Sequence, residues 1–335
     1  MFEWYQDFYR KKTLASLRNT NKAVIAIGDS FTQGAGACSV EMWDKYNWNV
    51  NEAKNMFNWD YHTSCHDNSF AHQLCKNHLV GFTPINLGVE GRGNRSSVKE
   101  LYLNPEYKFE QIKEKIVIFM LTGYERFDFV CKDFSQNLHF RSIWPHENKN
   151  VPDSDLWENY GIHAFSHRTA IIEMLLAIAE VKSWCEKNNA IFILGSAFRP
   201  EYNNRNFLYN KIEFCDEDPD NYIRTTPDYI NNLLDIINWE TFFKPGGEAC
   251  ISDYLCVLEE REDLLMGESS KNYYDYAYTL EKLSPKGYIT NCAHPSFNGH
   301  EKIANELYSH ILKYHKEEIN KNNIINGSKI LTNII

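Results

Sequence analysis

The chain has 335 residues, 43% hydrophobic and 14% aromatic, enough to bury a large globular core as one decorated domain or two small ones. Its 45 acidic against 35 basic residues leave a formal charge of −10, which gives no general attraction to nucleic acid or an anionic membrane surface. No apolar run approaches the roughly 20 residues of a membrane span, and the first residues lack the basic and apolar regions of a signal peptide, so a cytoplasmic protein is expected.

A short polar helix is predicted over Trp4 to Leu17. Ala23 to Ile27 are small or branched apolar residues stopped by Gly28-Asp29-Ser30, the pattern of a strand buried on both faces that leaves a sheet in a tight turn. Ser30 then stands at the strand's C-terminal tip, where open α/β sheets bind ligands and a following helix turns free N–H groups outward. The same residues also read as an Asp-Ser helix cap after an ordinary strand. Ser39 to Tyr61, rich in Trp, Asn, Asp and Met without clean periodicity, are expected to form a loop overhanging Ser30. Asn68 to Leu79 predict an amphipathic helix burying Phe70, Ala71, Leu74 and Cys75. His62, Cys65, His66, His72, Cys75 and His78 crowd into this region, but their order matches no standard zinc finger and no metal is assigned. The nine cysteines, an odd number without Cys-x-x-Cys spacing, suit buried free thiols in a reducing compartment.

Pro84 to Gly88 predict a second strand, leading into Val89-Glu90-Gly91-Arg92-Gly93-Asn94-Arg95-Ser96-Ser97. Gly91 and Gly93 permit positive φ and close approach to a substrate, while Asn94 or Ser96 can equally cap an ordinary strand-to-helix turn. Ile116 to Leu121 predict a third strand with Thr122-Gly123-Tyr124-Glu125-Arg126 at its tip. Asp128 to Gly161 read as an insertion whose Trp144, Trp157 and Tyr160 suit either stacking on a sugar or a local mini-core. A long amphipathic helix over Ser166 to Lys187 and a fourth strand over Ala190 to Gly195 complete the alternation of a doubly wound sheet. Phe198 to Tyr288, acidic and Tyr-rich, read as a second insertion with a helix over Pro227 to Trp239 and a short strand or helix over Tyr254 to Leu258. Near the end, Pro295 stiffens the chain and Ser296 can cap a helix over Glu301 to Lys316, fixing the angle of His294 as a general base requires.

Gly28-Asp29-Ser30-Phe31-Thr32-Gln33-Gly34 resembles the first block of the SGNH or GDSL hydrolases, a family of serine esterases. Asn86-Leu87-Gly88-Val89-Glu90-Gly91 is similar to that family's second block, and His294-Pro295-Ser296 with Gly299-His300 to its last. Carried over residue by residue, the resemblance implies Ser30 as nucleophile, His294 as general base, and the Ser30 and Gly91 N–H groups as oxyanion donors. Two positions depart from the pattern. Tyr124 fills the place of the third block's Asn, so Asn94 or the Thr122 hydroxyl is expected to supply the missing donor and Tyr124 to line the substrate side. Asn291 fills the place of the acid. A backbone carbonyl or Asn291 Oδ1 then orients His294, or a carboxylate such as Asp275 or Glu90 substitutes, or the site is weak or inactive.

The family implies a three-layer α/β/α sandwich on a five-stranded parallel, flavodoxin-like sheet. Here that is a single domain over 1–320, with insertions at about 128–161 and 198–288 and a tail at 321–335. It also implies no metal or organic cofactor, and hydrolysis of a carboxylic ester on a small molecule, lipid or glycan, O-acetyl groups included. Decorated relatives with altered third blocks occur in phage and virus genomes, so a virion-associated location is expected beside a cytoplasmic one. The competing class is a catalytically weak or retired hydrolase scaffold that binds glycans or builds a virion. The sequence assigns no oligomeric state, nucleic-acid partner or membrane span.

Overall fold

The computed structural model describes residues 11–321 apart from 12, 16, 18–19, 56–57, 103–106, 125, 133–137, 144–165, 199–226 and 266–270. Among them are six strands: β1 (Lys22–Ile27), β2 (Thr83–Asn86), β3 (Glu114–Leu121), β4 (Phe127–Lys132), β5 (Leu138–Ile143) and β6 (Ala190–Ser196). Four form a parallel sheet in the order β2-β1-β3-β6, and β4 pairs with β5 in a separate antiparallel hairpin. Ile25 sits opposite Ile85 on one side and Val117 on the other, while Ile118 faces Ile193.

Alternate residues of each central strand enter different cores, as the two-residue repeat of a strand requires. Ala23, Ile25, Ile27, Val117, Phe119 and Leu121 pack with the helices His167–Lys187 and Pro227–Leu234. Val24, Ala26, Ile116, Ile118 and Met120 pack on the other face with Phe70–Asn77, Ile251–Leu258 and Phe297–Tyr314. Burial on both faces is why these strands are almost uninterrupted apolar runs. In chain order the α-helices are α1 (Ser30–Gln33), α2 (Val40–Lys45), α3 (Val50–Ala53), α4 (Trp59–Asp67), α5 (Phe70–Asn77), α6 (Asn94–Lys99), α7 (His167–Lys187), α8 (Pro227–Leu234), α9 (Ile251–Leu258), α10 (Lys271–Tyr278), α11 (Phe297–Tyr314) and α12 (Lys316–Lys321). None is long and apolar enough to cross a membrane, among the described residues.

The described sheet has four strands where five were expected. On the open edge of β6 the Phe243 N–H donates to the Leu194 carbonyl at 2.8 Å. The pairing ends there because Pro245 has no N–H and Gly246 and Gly247, at φ +59° and +91°, turn the chain away.

The stretch expected as a loop over Ser39 to Tyr61 instead holds α2, α3 and the start of α4. Ser39, Asn49 and Asn58 cap these helices through their side chains. Turns this short show no readable period. Trp43 stacks on Trp48 at 5.3 Å with Tyr61 edge-on, and these rings gather Cys38, Cys65 and Cys292 into a third small core. The first expected insertion contains the β4–β5 hairpin, and Trp144, Trp157 and Tyr160 lie outside the described residues. The second contains α8, α9 and α10, with α8 ending at Leu234 rather than Trp239. The helix expected over Glu301 to Lys316, α11, begins at Phe297, four residues earlier than its apolar period suggests, because Ser296 Oγ accepts from the Gly299 N–H at 3.1 Å.

Candidate active site at the strand tips

Ser30 and His294, 264 positions apart, meet at the C-terminal end of β1: Ser30 Oγ lies 2.9 Å from His294 Nε2. Ser30 is the first residue of α1, whose cap Asp29 accepts the Phe31 N–H at 3.0 Å. His294 is carried by a closed loop in which the Thr290 N–H and hydroxyl both donate to the His294 carbonyl at 3.0 Å, and the Ala293 N–H to the Thr290 carbonyl at 3.0 Å. Gly36, at φ +86°, lets the exit of α1 press on this loop, since a Cβ there would stand 2.8 Å from the Pro295 carbonyl and 3.1 Å from His294 Cβ.

The remaining ring nitrogen, His294 Nδ1, is 2.6 Å from the Cys292 carbonyl. A carbonyl only accepts, so Nδ1 carries the proton and Nε2 offers its lone pair to the Ser30 hydroxyl. Burial pushes His294 down to about 3; Lys54 adds to this, while Glu90 and the Cys292 carbonyl oppose it. The imidazole therefore stays neutral far below its ordinary value. Ser30 and His294 are only 5% and 8% exposed.

Asn291 does not meet His294. Its amide donates to the carbonyls of Trp48, at 2.9 Å, and Glu281, at 3.1 Å. Of the alternatives open in the sequence, the backbone carbonyl occupies Nδ1, and neither Glu90 nor Asp275 does. Glu90 pairs with Lys54 at 2.9 Å. Burial opposes its ionisation, yet the Lys54 ammonium beside it brings it down to about 2.

The β2 exit runs alongside the β1 tip, with the Leu87 N–H on the Ala26 carbonyl at 2.8 Å and the Val89 N–H on the Gly28 carbonyl at 3.2 Å. This course carries Gly91, at φ +78°, past the turn that holds Ser30. No acceptor for the Gly91 N–H is found among the described residues. Asn94 is neither the N-cap of α6, which is Gly93, nor turned to open space. Its Nδ2 donates to the Thr122 carbonyl at 3.2 Å, and its Oδ1 accepts the Thr122 N–H at 2.9 Å. The Thr122 hydroxyl in turn donates to Asp29 at 2.8 Å. Tyr124 is buried in the α7-side core with its hydroxyl 2.9 Å from His167 Nδ1, so it does not line the Ser30 side as expected. An aromatic at a strand tip satisfies either position, and only the packing of α7 decides between them.

Two site-building side chains, Asn86 and Arg126, have no such role in the sequence reading, and which backbone carbonyl would orient His294 has no residue signature. Asn86 opens the second-block resemblance and lies in a predicted strand without a role of its own there, yet its Nδ2 donates to the Thr32 and Gln33 carbonyls at 2.8 and 3.2 Å and to Ser69 Oγ at 2.9 Å. A polar side chain ending an apolar strand was the available signal. Arg126 reaches Asp29 at 3.4 Å.

No family model and no curated protein matches the chain. Among solved structures, the crystal structure of LAE5, an alpha/beta hydrolase enzyme from the metagenome of Lake Arreo, Spain, aligns with 88% of this chain and 96% of its own. The identity is 12% and the TM-score 0.35, too low a likeness to bear on fold or activity.

Proposed function

We propose that this chain is a serine hydrolase of carboxylic esters, of the SGNH type, working through a Ser-His dyad. The observation that carries this reading is the 2.9 Å contact between Ser30 Oγ and His294 Nε2, with the tautomer set by the Cys292 carbonyl at 2.6 Å. As Ser30 Oγ attacks the ester carbonyl carbon, Nε2 takes its proton. The resulting oxyanion is met by the backbone N–H groups of Ser30 and Gly91. Collapse expels the alcohol, protonated by the imidazolium, and leaves an acyl-Ser30. A water deprotonated by His294 then releases the acid. Asn94 acts as a positioning residue here, holding the Thr122 peptide rather than donating to the oxyanion. The ester is on a small molecule, lipid or glycan, and no cofactor enters any step.

A catalytically weak binding protein is the second reading, favoured by one observation: a carbonyl on Nδ1 orients the imidazole but brings no negative charge to stabilise imidazolium. Fluorophosphonate labelling of the purified chain separates the two. Labelling at Ser30, lost in Ser30→Ala and accompanied by turnover of a short-chain aryl ester, supports the enzyme. An unlabelled, correctly folded wild type, inactive on a broad ester panel, overturns it.

A further inference from the structure

The crowded histidines and cysteines between 62 and 78 are sorted by the fold. His62 turns to the Asn55 carbonyl and His78 to Asn305, while Cys65 and Cys75 enter two different cores. What remains is a group at the corner between α4 and α5. His66 and Asp67 end α4, His72 lies in the first turn of α5, and one ligand atom from each lies within 4.8 Å of the others. His66 Nδ1 is 3.1 Å from Asp67 Oδ1, and His72 Nε2 is 3.9 Å from the same oxygen.

We propose that His66, Asp67 and His72 form a binding site for a first-row divalent cation, with Zn²⁺ the best match to two imidazoles and one carboxylate. Bonds of about 2.0 to 2.2 Å place neighbouring ligand atoms roughly 3 to 3.4 Å apart in tetrahedral or octahedral coordination. The first of the two distances already meets this, the second needs a closure of about 0.5 to 0.9 Å, and the His66 and His72 ligand atoms, within 4.8 Å of each other, must close likewise. The outer contacts fit as well. Ser69 Oγ lies 3.1 Å from His72 Nδ1, the arrangement that leaves Nε2 for a metal, and Asn86 Nδ2 holds Ser69 Oγ at 2.9 Å. Asp67 is half-exposed and His66 almost fully buried, so the group opens to solvent on the Asp67 side.

The site is structural in its effect. The same Asn86 holds the carbonyls of Thr32 and Gln33 at the end of α1, and Gly34, which caps α1, leaves no room for a Cβ against the Cys65 carbonyl and Ser69. A cation at this corner would clamp the support beneath the Ser30 helix without touching Ser30 or His294. The proposal does not depend on the esterase reading.

Isothermal titration of the chelator-treated full chain with ZnCl₂ tests it, with the melting temperature recorded in parallel. Expected are one saturable Zn²⁺ per chain, a rise in Tm, a loss of affinity of at least about tenfold in His72→Ala and Asp67→Asn, and a loss of about tenfold in Ser69→Ala. Asp67→Asn changes a half-exposed side chain and keeps the test valid should His72→Ala fail to fold. Absence of saturable uptake leaves only a hydrogen-bonded His-Asp-His cluster and overturns the proposal. Uptake unchanged in a folded His72→Ala or Asp67→Asn does so too, because the ion would then sit elsewhere on the chain.

Discussion

Changing Asn291 to Asp would restore the acidic residue of the hydrolase pattern, and the structure predicts that it impairs the protein. The Asn291 amide donates to two carbonyls, of Trp48 and Glu281. A carboxylate has no hydrogen to give either, so both bonds are lost and a charge is placed against two oxygens about 3 Å away. Each of the two bonds is worth about 1 kcal/mol, and facing a charged acceptor with carbonyls adds about 1 to 3 kcal/mol at a part-buried position, giving a destabilisation of about 3 to 5 kcal/mol. Catalysis gains nothing in return, because Nδ1 is already bonded to Cys292. Urea unfolding at pH 7.5 of wild type and Asn291→Asp, with kcat/KM for an aryl ester, checks both parts. Protonation of the new Asp removes the charge, so the stability gap should narrow toward pH 5. A variant as stable as wild type with raised kcat/KM would refute the reasoning, because the new carboxylate would then have displaced the Cys292 carbonyl from the imidazole.

The buried histidines set the acid limit. His294 and His300 are pushed down to about 3 and His310 to about 4, burial being the main cause in each, against about 6.5 in an unfolded chain. Below about pH 6.5 the unfolded chain takes up protons that the native state refuses. Stability is thus fully present above that pH and is lost as pH falls toward 3 to 4, by about 1.4 kcal/mol per unit for each histidine. Tm should drop steeply between pH 6.5 and 5 and activity with it; a flat Tm would contradict the burial of these rings. Ala293 sits at φ +59° between Cys292 and His294, a strained conformation for a residue with a Cβ. Ala293→Gly should stabilise by about 1 kcal/mol in urea melts yet lower kcat, since the loop loses the restraint that aims the Cys292 carbonyl. Asn86→Ala should cost about 3 to 5 kcal/mol by the same measurement, because it strands the carbonyls of Thr32 and Gln33 and the Gly88 N–H; a loss under about 1 kcal/mol would show that water replaces the amide.

What the sequence made legible follows from what each feature needs. β1, β3 and β6 are readable because burial on both faces demands contiguous apolar residues, and α7 because 21 residues give many turns of one period. Ser30 and His294 stand out because strand-tip and helix-cap residues surround them at fixed spacing. The group on His294 Nδ1 is not readable, since every residue carries a carbonyl and only the φ of Ala293 turns this one inward. Asn94 and Tyr124 were open for a related reason. Each can serve substrate or scaffold, and the choice rests on partners far along the chain, Thr122 and His167. The short helices between 39 and 67 depend on caps and a local pile of aromatic rings, neither of which imposes a period.

Asp29 shows why the residue before Ser30 matters even though its carboxylate contacts neither Ser30 Oγ nor His294. One oxygen holds the Phe31 N–H and so starts the helix that carries Ser30; the other receives the Thr122 hydroxyl and the Arg126 guanidinium. Arg126 also donates to the Arg92 carbonyl at 3.0 Å, and Asn94 brackets the Thr122 peptide from the glycine turn. The exits of β1, β2 and β3 are thereby tied to one carboxylate. Burial pushes that carboxyl up, and Arg126, Thr122 and Phe31 oppose the shift. A buried pair of this kind adds little net stability over an apolar substitute, but breaking it by removing one partner costs about 3 to 5 kcal/mol. Its contribution is therefore positional. The proposed proton transfer from Ser30 to His294 requires two groups on segments 264 positions apart to stay within hydrogen-bond reach, and the ties at Asp29 fix the tip from which Ser30 projects before any substrate arrives.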